Sequence, residues 1–162
     1  MVGNAKQYAE GMELLFNTLH IAAAVFIVGP MAILPMTAMR SIRAGEAGQV
    51  TSLAKSVNLF TLLSIVVAVF GFGALAVADE DEGFSFTSTW VLLSIALYAI
   101  ALAINLFVVI PAMRTAAEAI SEGRAAAAAP QAKVAGYSRV AMGSGISSLL
   151  LVIVVFLMVW KP

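Results

Sequence analysis

Val57–Val77 reads VNLFTLLSIVVAVFGFGALAV, 21 residues without an acidic or basic side chain. A helix rising about 1.5 Å per residue needs about 20 such residues to cross a hydrocarbon core roughly 30 Å thick, so this stretch can span a bilayer. Leu14–Ala38, Trp90–Met113 and Val140–Trp160 match it, and none of them contains Asp, Glu, Lys or Arg. None shows the sustained period-two alternation between turn signals that marks strands. Backbone polar groups find no water in lipid and must be satisfied within their own segment, which leaves helices. The sequence predicts an all-α, polytopic membrane protein whose four transmembrane helices form one domain over residues 1–162.

The charges between the spans fall on two different sides. Arg40, Arg43 and Lys55 follow the first span, and Arg114, Arg124, Lys133 and Arg139 follow the third, which accounts for seven of the nine basic residues. Lys6 and Lys161 are alone on the other side. Positive loops stay in the cytoplasm, so both termini and the middle loop are expected outside a bacterial inner (plasma) membrane. The acids agree: Glu10, Glu13, Asp79, Glu80, Asp81 and Glu82 are on the outer side, against Glu46, Glu118 and Glu122 on the inner. A formal net charge of zero thus hides two oppositely charged ends. The run Asp79–Glu82 reads as a solvated cap that helps set topology, with a basic partner surface as the alternative.

Composition excludes several classes. With 62% hydrophobic and 11% charged residues, no second, soluble domain fits. The absence of cysteine rules out disulfides, thiolate metal sites and covalent haem attachment through a Cys-x-x-Cys-His motif. Met1–Glu13 lacks the basic region of a signal peptide and the apolar stretch after it is too long, so the first helix is expected to stay in the mature protein. No nucleophile elbow, phosphate-cradling glycine loop or zinc-protease motif occurs. We expect no catalysis by this chain, and the basic residues are too few and too spread for nucleic acid.

Internally, the chain reads as two hairpins in tandem. The first span ends Pro35-Met-Thr-Ala-Met39-Arg40, the third ends Pro111-Ala-Met113-Arg114, and each is followed by a small, polar, Gly-containing loop. Two hairpins that start on the same side form a parallel repeat about an axis along the membrane normal. The competing reading is that any four-helix chain punctuates its helices alike. Pro30 and Pro35 each remove a donor and crowd the carbonyl four residues earlier, which predicts a bend in the inner half of helix one, with freed carbonyls near Phe26 and Met31. Arg114 and Glu118 lie four apart in an Ala-rich run without a breaker before Gly123, so helix three is expected to continue past the membrane surface. Pro130 is suited to the first turn of an extension of helix four, and Ala125–Ala129 to close packing or a spacer.

Helices associate in lipid through small residues that let backbones approach. Gly71 and Gly73 in helix two, Ala99 and Ala103 in helix three, and Ala141, Gly143, Gly145 and Ser147 in helix four, which pair as Ala141/Gly145 and Gly143/Ser147, are the candidates, for packing within the bundle or against a partner. Asn58, Thr61 and Ser64 mark one stripe of helix two, and Tyr98 with Asn105 a polar side of helix three. Residues of this kind bond across helices.

His20 is the only histidine, about two turns inside helix one, with Asn17 and Ala24 on its face. An ionisable residue inside a span is by default a functional-site hypothesis. Neutral imidazole ligates haem or copper. A second ligand is then required, and Met12, Met31, Met36, Met39 and Met113 are the candidates in the chain. The competing reading is a neutral histidine bonded to a polar group of the next helix, with no cofactor in the chain.

The segment Leu19-His20-Ile-Ala-Ala-Ala-Val-Phe-Ile-Val-Gly29-Pro30, with Met39-Arg40-Ser-Ile-Arg43 after it, resembles the opening of small bacterial four-helix membrane proteins of unknown function. These in turn resemble the copper-resistance-D-like superfamily, whose first helix carries Leu-His, small residues and Gly. His20 and Gly29 carry over, whereas Pro30 stands where relatives have a second glycine. In size, topology and its Ala- and Val-rich composition the chain is also similar to accessory subunits of cytochrome c oxidase in actinobacterial respiratory supercomplexes. That likeness implies a non-catalytic accessory subunit, with membrane lipids and other integral membrane subunits such as cytochrome c oxidase as partners. Two alternatives stand beside it: a stand-alone membrane protein binding haem or copper through His20, and a small transporter built from the two hairpins.

Overall fold

The computed structural model describes residues 2–77, 88–123 and 135–160. The acidic run Asp79–Glu82, Arg124, the alanines 125–129, Pro130, Lys133, Lys161 and the side chain of Lys6 lie outside the described residues. Among the described residues every regular element is helical. Helix α1 consists of Val2–Ala23, a π-helical turn Ala24–Val28, and Gly29–Ala44. Helix α2 is Ala47–Val77. Helix α3 consists of Thr89–Ile104, a second π-turn Asn105–Val109, and Ile110–Ser121, while α4 is Tyr137–Trp160. All four are long and apolar enough to cross a membrane. Helix α3 runs eight residues beyond Met113, through the stretch in which Arg114 and Glu118 stand one turn apart.

Three glycines with positive φ, Gly45, Gly123 and Gly136, lie at the end that carries Arg40, Arg43, Arg114 and Arg139, the basic end. Gly45 adopts φ 73°, and its N–H caps the carbonyls of Ile42 and Ser41. An L side chain is strained there, so glycine ends α1 and lets α2 begin two residues later. Gly136 has φ 88°, and a Cβ on it would stand 2.5 Å from the carbonyl oxygen of Ala112. Only glycine lets the start of α4 press this closely against α3.

The helices pack in a square, α1 on α2, α2 on α3, α3 on α4 and α4 back on α1. The main core occupies the basic-end half. There Ala38 and Ile42 of α1, Val50, Ala54 and Val57 of α2, Met113 and Ala116 of α3, and Val140 of α4 interlock. Burial of apolar surface drives little association between helices in lipid, so closeness of approach sets the packing energy, which explains the alanines in this core. A smaller cluster of Met31, Ala101 and Leu151 sits above it. Beyond that the core thins: no described side chain from Gln7 to Pro30 is buried.

Helix α1 departs from regularity at its middle, Ala24–Val28, rather than in its basic-end half. Pro35 is buried inside regular α-helix. The same π-turn recurs in α3, where the N–H of Ile110 reaches back five residues to the carbonyl of Asn105, immediately before Pro111. A wide turn moves the carbonyl that a proline ring would strike, so each π-turn absorbs the proline after it. The internal correspondence therefore pairs Pro30, not Pro35, with Pro111. Each stands two residues past its π-turn, and exposed Phe26 and Phe107 hold the same place within the two turns.

Candidate functional site

His20 stands four residues before the first π-turn, and its Nδ1 lies 2.8 Å from the carbonyl oxygen of Val67 on α2. A carbonyl only accepts, so His20 Nδ1 carries a proton and donates it to Val67. Gly71, one turn after Val67, makes that contact reachable. A Cβ there would meet His20 Cε1 at 2.8 Å and Nδ1 at 2.9 Å. Phe16, one turn before His20, lies against Gly73, where a Cβ would fall 2.6 Å from the ring carbon Cδ1. Gly71 and Gly73 of α2 thus receive side chains of α1.

A haem or metal at His20 needs further donors. Among the described residues no group of three or more His, Cys, Asp and Glu is placed to hold a metal ion. Met31 and Met113 are fully buried in the two core clusters. By helical rise Met12 is about 12 Å and Met31 about 16 Å from His20 along α1. Met36 and Met39 lie further on, so none of these methionines shares a site with His20.

Polar groups join every other neighbouring pair of helices. Ser64 Oγ donates to the Thr61 carbonyl at 2.7 Å and lies 2.8 Å from Tyr98 Oη, linking α2 to α3. Asn105 Nδ2 donates to the Ala101 carbonyl at 3.1 Å and to Ser147 Oγ at 2.5 Å, linking α3 to α4, and Ser147 itself donates to the Ala101 carbonyl at 3.3 Å. Ser148 Oγ donates to the Ala32 carbonyl at 3.4 Å, which closes α4 on α1. With the bond from His20 to Val67, the four sides of the square are each tied by a hydrogen bond that needs no ionic partner. Thr61 Oγ1 is fully buried without a hydrogen-bond partner among the described residues. A group left in that condition costs about 1–3 kcal/mol.

The sequence-derived residues divide accordingly. Thr61, Ser64, Tyr98 and Asn105 face the interior, while Asn58 is half-buried. Gly143 packs on α3, where a Cβ would stand 2.9 Å from Val109 Cγ2. Gly145 faces outward with nothing within 4 Å of its Cβ position, and Ala141 is half-buried. Ala99 and Ala103 are exposed, and the close contact falls on Ala101 between them. A shift of two residues turns a helix by about 200°, so that pair lies on the opposite face. Ser147 enters the sequence reading only as a small packing residue and Ser148 not at all, so neither is identified there as a polar tie. Two adjacent hydroxyls in an otherwise apolar run were the available signal. At the basic end, Arg43 Nη2 donates to Tyr137 Oη, with the guanidinium 5.2 Å from the ring centre, and Ser41 donates to Gln49.

Residues 14–162 match the family model described as predicted integral membrane protein (DUF2269). No curated protein and no solved structure matches the chain. The family match extends through all four spans and links the chain neither to copper-resistance-D-like proteins nor to respiratory supercomplexes.

Proposed function

From the premise that the chain belongs to the DUF2269 family of predicted integral membrane proteins, we propose that it is a non-catalytic accessory subunit of a larger membrane complex. The supporting observation is how the polar groups of the spans are used. Each of the four helix interfaces consumes a hydrogen-bonded pair that needs no ionic partner, while the half of α1 away from the basic end presents exposed, apolar side chains. Such a chain meets lipid or other helices sideways. The likeness in size, topology and composition to oxidase-associated subunits points to a respiratory complex in a bacterial plasma membrane. The basic loops favour the orientation with both termini outside the cytoplasm. Purification in mild detergent followed by native mass spectrometry tests the proposal. Stoichiometric recovery with cytochrome c oxidase subunits is the expected result, and recovery of the chain alone in intact form counts against it.

A second reading is favoured by one observation. With Nδ1–H donated to the Val67 carbonyl, His20 presents the tautomer whose Nε2 ligates metals, and the partner that orients ligating histidines is commonly a carbonyl. In that reading the chain is a stand-alone membrane protein that binds haem or copper through His20. Haem absorbance or bound copper in the chain purified alone separates it from the first reading.

A further inference from the structure

Helix α1 changes character at its π-turn. On the basic-end side Met31, Pro35, Ala38, Ser41 and Ile42 are buried. On the other side no described side chain is buried, and the segment packs chiefly on α2. Two side chains mark that contact: His20, bonded to the Val67 carbonyl and lying over Gly71, and Phe16 lying against Gly73. Both seats exist because positions 71 and 73 carry no Cβ. Between the two regimes come the π-turn Ala24–Val28, then Gly29 with nothing within 4 Å of its Cβ position, then Pro30 without an N–H.

Helix α3 supplies the contrast. Its π-turn begins at Asn105, whose side chain is bonded to both Ala101 and Ser147, and the segment before it buries Val91, Ser94 and Ala101. The same turn is clamped in α3 and unclamped in α1, where Ala24 stands in the place of Asn105. We infer that the part of α1 before the π-turn is a hinged arm that swings about Ala24–Pro30 and is latched to α2 by His20 at Gly71 and Phe16 at Gly73.

The chain has no cysteine, so spin-label pairs can be placed without background. Thr18→Cys with Val69→Cys reports on the arm, and Met36→Cys with Ser52→Cys on the rest of α1. All four positions are exposed. Thr18 lies about 16 Å from Gly29 along the helix, so a swing of about 20° displaces it by about 6 Å. In lipid nanodiscs the parent chain is expected to give one narrow distance for each pair. In Gly71→Ala/Gly73→Ala the arm distance should shift by more than about 5 Å and broaden while the second pair stays unchanged. Phe16→Ala/His20→Ala withdraws the latch without adding atoms, and should give the same shift even if the glycine variant inserts poorly. An arm distance unchanged in both variants would overturn the latch. Equal shifts in both pairs would overturn the hinge, because α1 would then be moving as one rod.

Discussion

Removing the side chain of Asn105 tests whether the polar ties hold the bundle together. Asn105 is 1% exposed and donates both to Ser147 Oγ and to the Ala101 carbonyl. Hydrogen bonds between membrane helices average about 0.6 kcal/mol and reach about 1.7, because the separated helices also find partners in the membrane. Asn105→Ala loses two such bonds and some packing, and is expected to destabilise the chain by about 2 kcal/mol. Ser147→Ala loses its bond to the Ala101 carbonyl as well, yet leaves Asn105 one acceptor there, and should cost about 1 kcal/mol. The double variant is the informative one. The bond shared by the two residues is then counted once, so its cost should fall short of the sum by about 0.6–1.7 kcal/mol. Reversible unfolding in mixed micelles with increasing dodecyl sulfate, followed by fluorescence of Trp90 and Trp160, measures all three. Costs that add to within about 0.3 kcal/mol would refute the tie, because independent sites add to that accuracy.

Cysteines placed at Gly45 and Ser121 are expected to be shielded from impermeant thiol reagents in intact cells and one at Ser85 labelled; the reverse pattern inverts the proposed orientation. If the chain is the accessory subunit proposed, His20→Ala is expected to leave complex assembly and electron transfer nearly intact, since it removes one interhelical hydrogen bond worth at most about 1–2 kcal/mol. Loss of a haem band from the intact, purified variant would instead establish the cofactor reading. Gly143→Val should lower the unfolding midpoint, since a Cβ there already comes within 2.9 Å of Val109 and 3.3 Å of Val108. Gly145→Val, facing open space, should leave the isolated chain unchanged; equal losses in the two would show that the α3–α4 contact is misassigned.

The spans were legible because lipid demands long apolar runs and forbids open backbone, so Val57–Val77 could be read with no knowledge of its neighbours. Thr61, Ser64, Tyr98 and Asn105 were legible as inward-facing for a related reason: neutral polar groups in a span are drawn to other helices. Their partners were not. Ser147 and Ser148 bond to carbonyls and amides whose positions depend on how far α4 is rotated against α3 and α1, and nothing local in the sequence states that rotation. The π-turns escaped for the same reason. A proline signals a disturbed helix, but whether the disturbance is a bend or a widened turn depends on what packs around it. Pro35, buried in regular helix, and Pro30, behind a π-turn, look alike as letters.

That the four ties need no ionic partner bears on how the protein responds to an energised membrane. A transmembrane potential does work of about 2.3 kcal/mol on each elementary charge carried through 100 mV. The four spans contain no Asp, Glu, Lys or Arg. A swing of the α1 arm carries a segment from Leu14 onward whose one titratable side chain is His20, with Glu10 and Glu13 near its end. With His20 neutral the movement is close to electrically silent: polarising the membrane should neither latch nor release the arm, and it should leave no gating current.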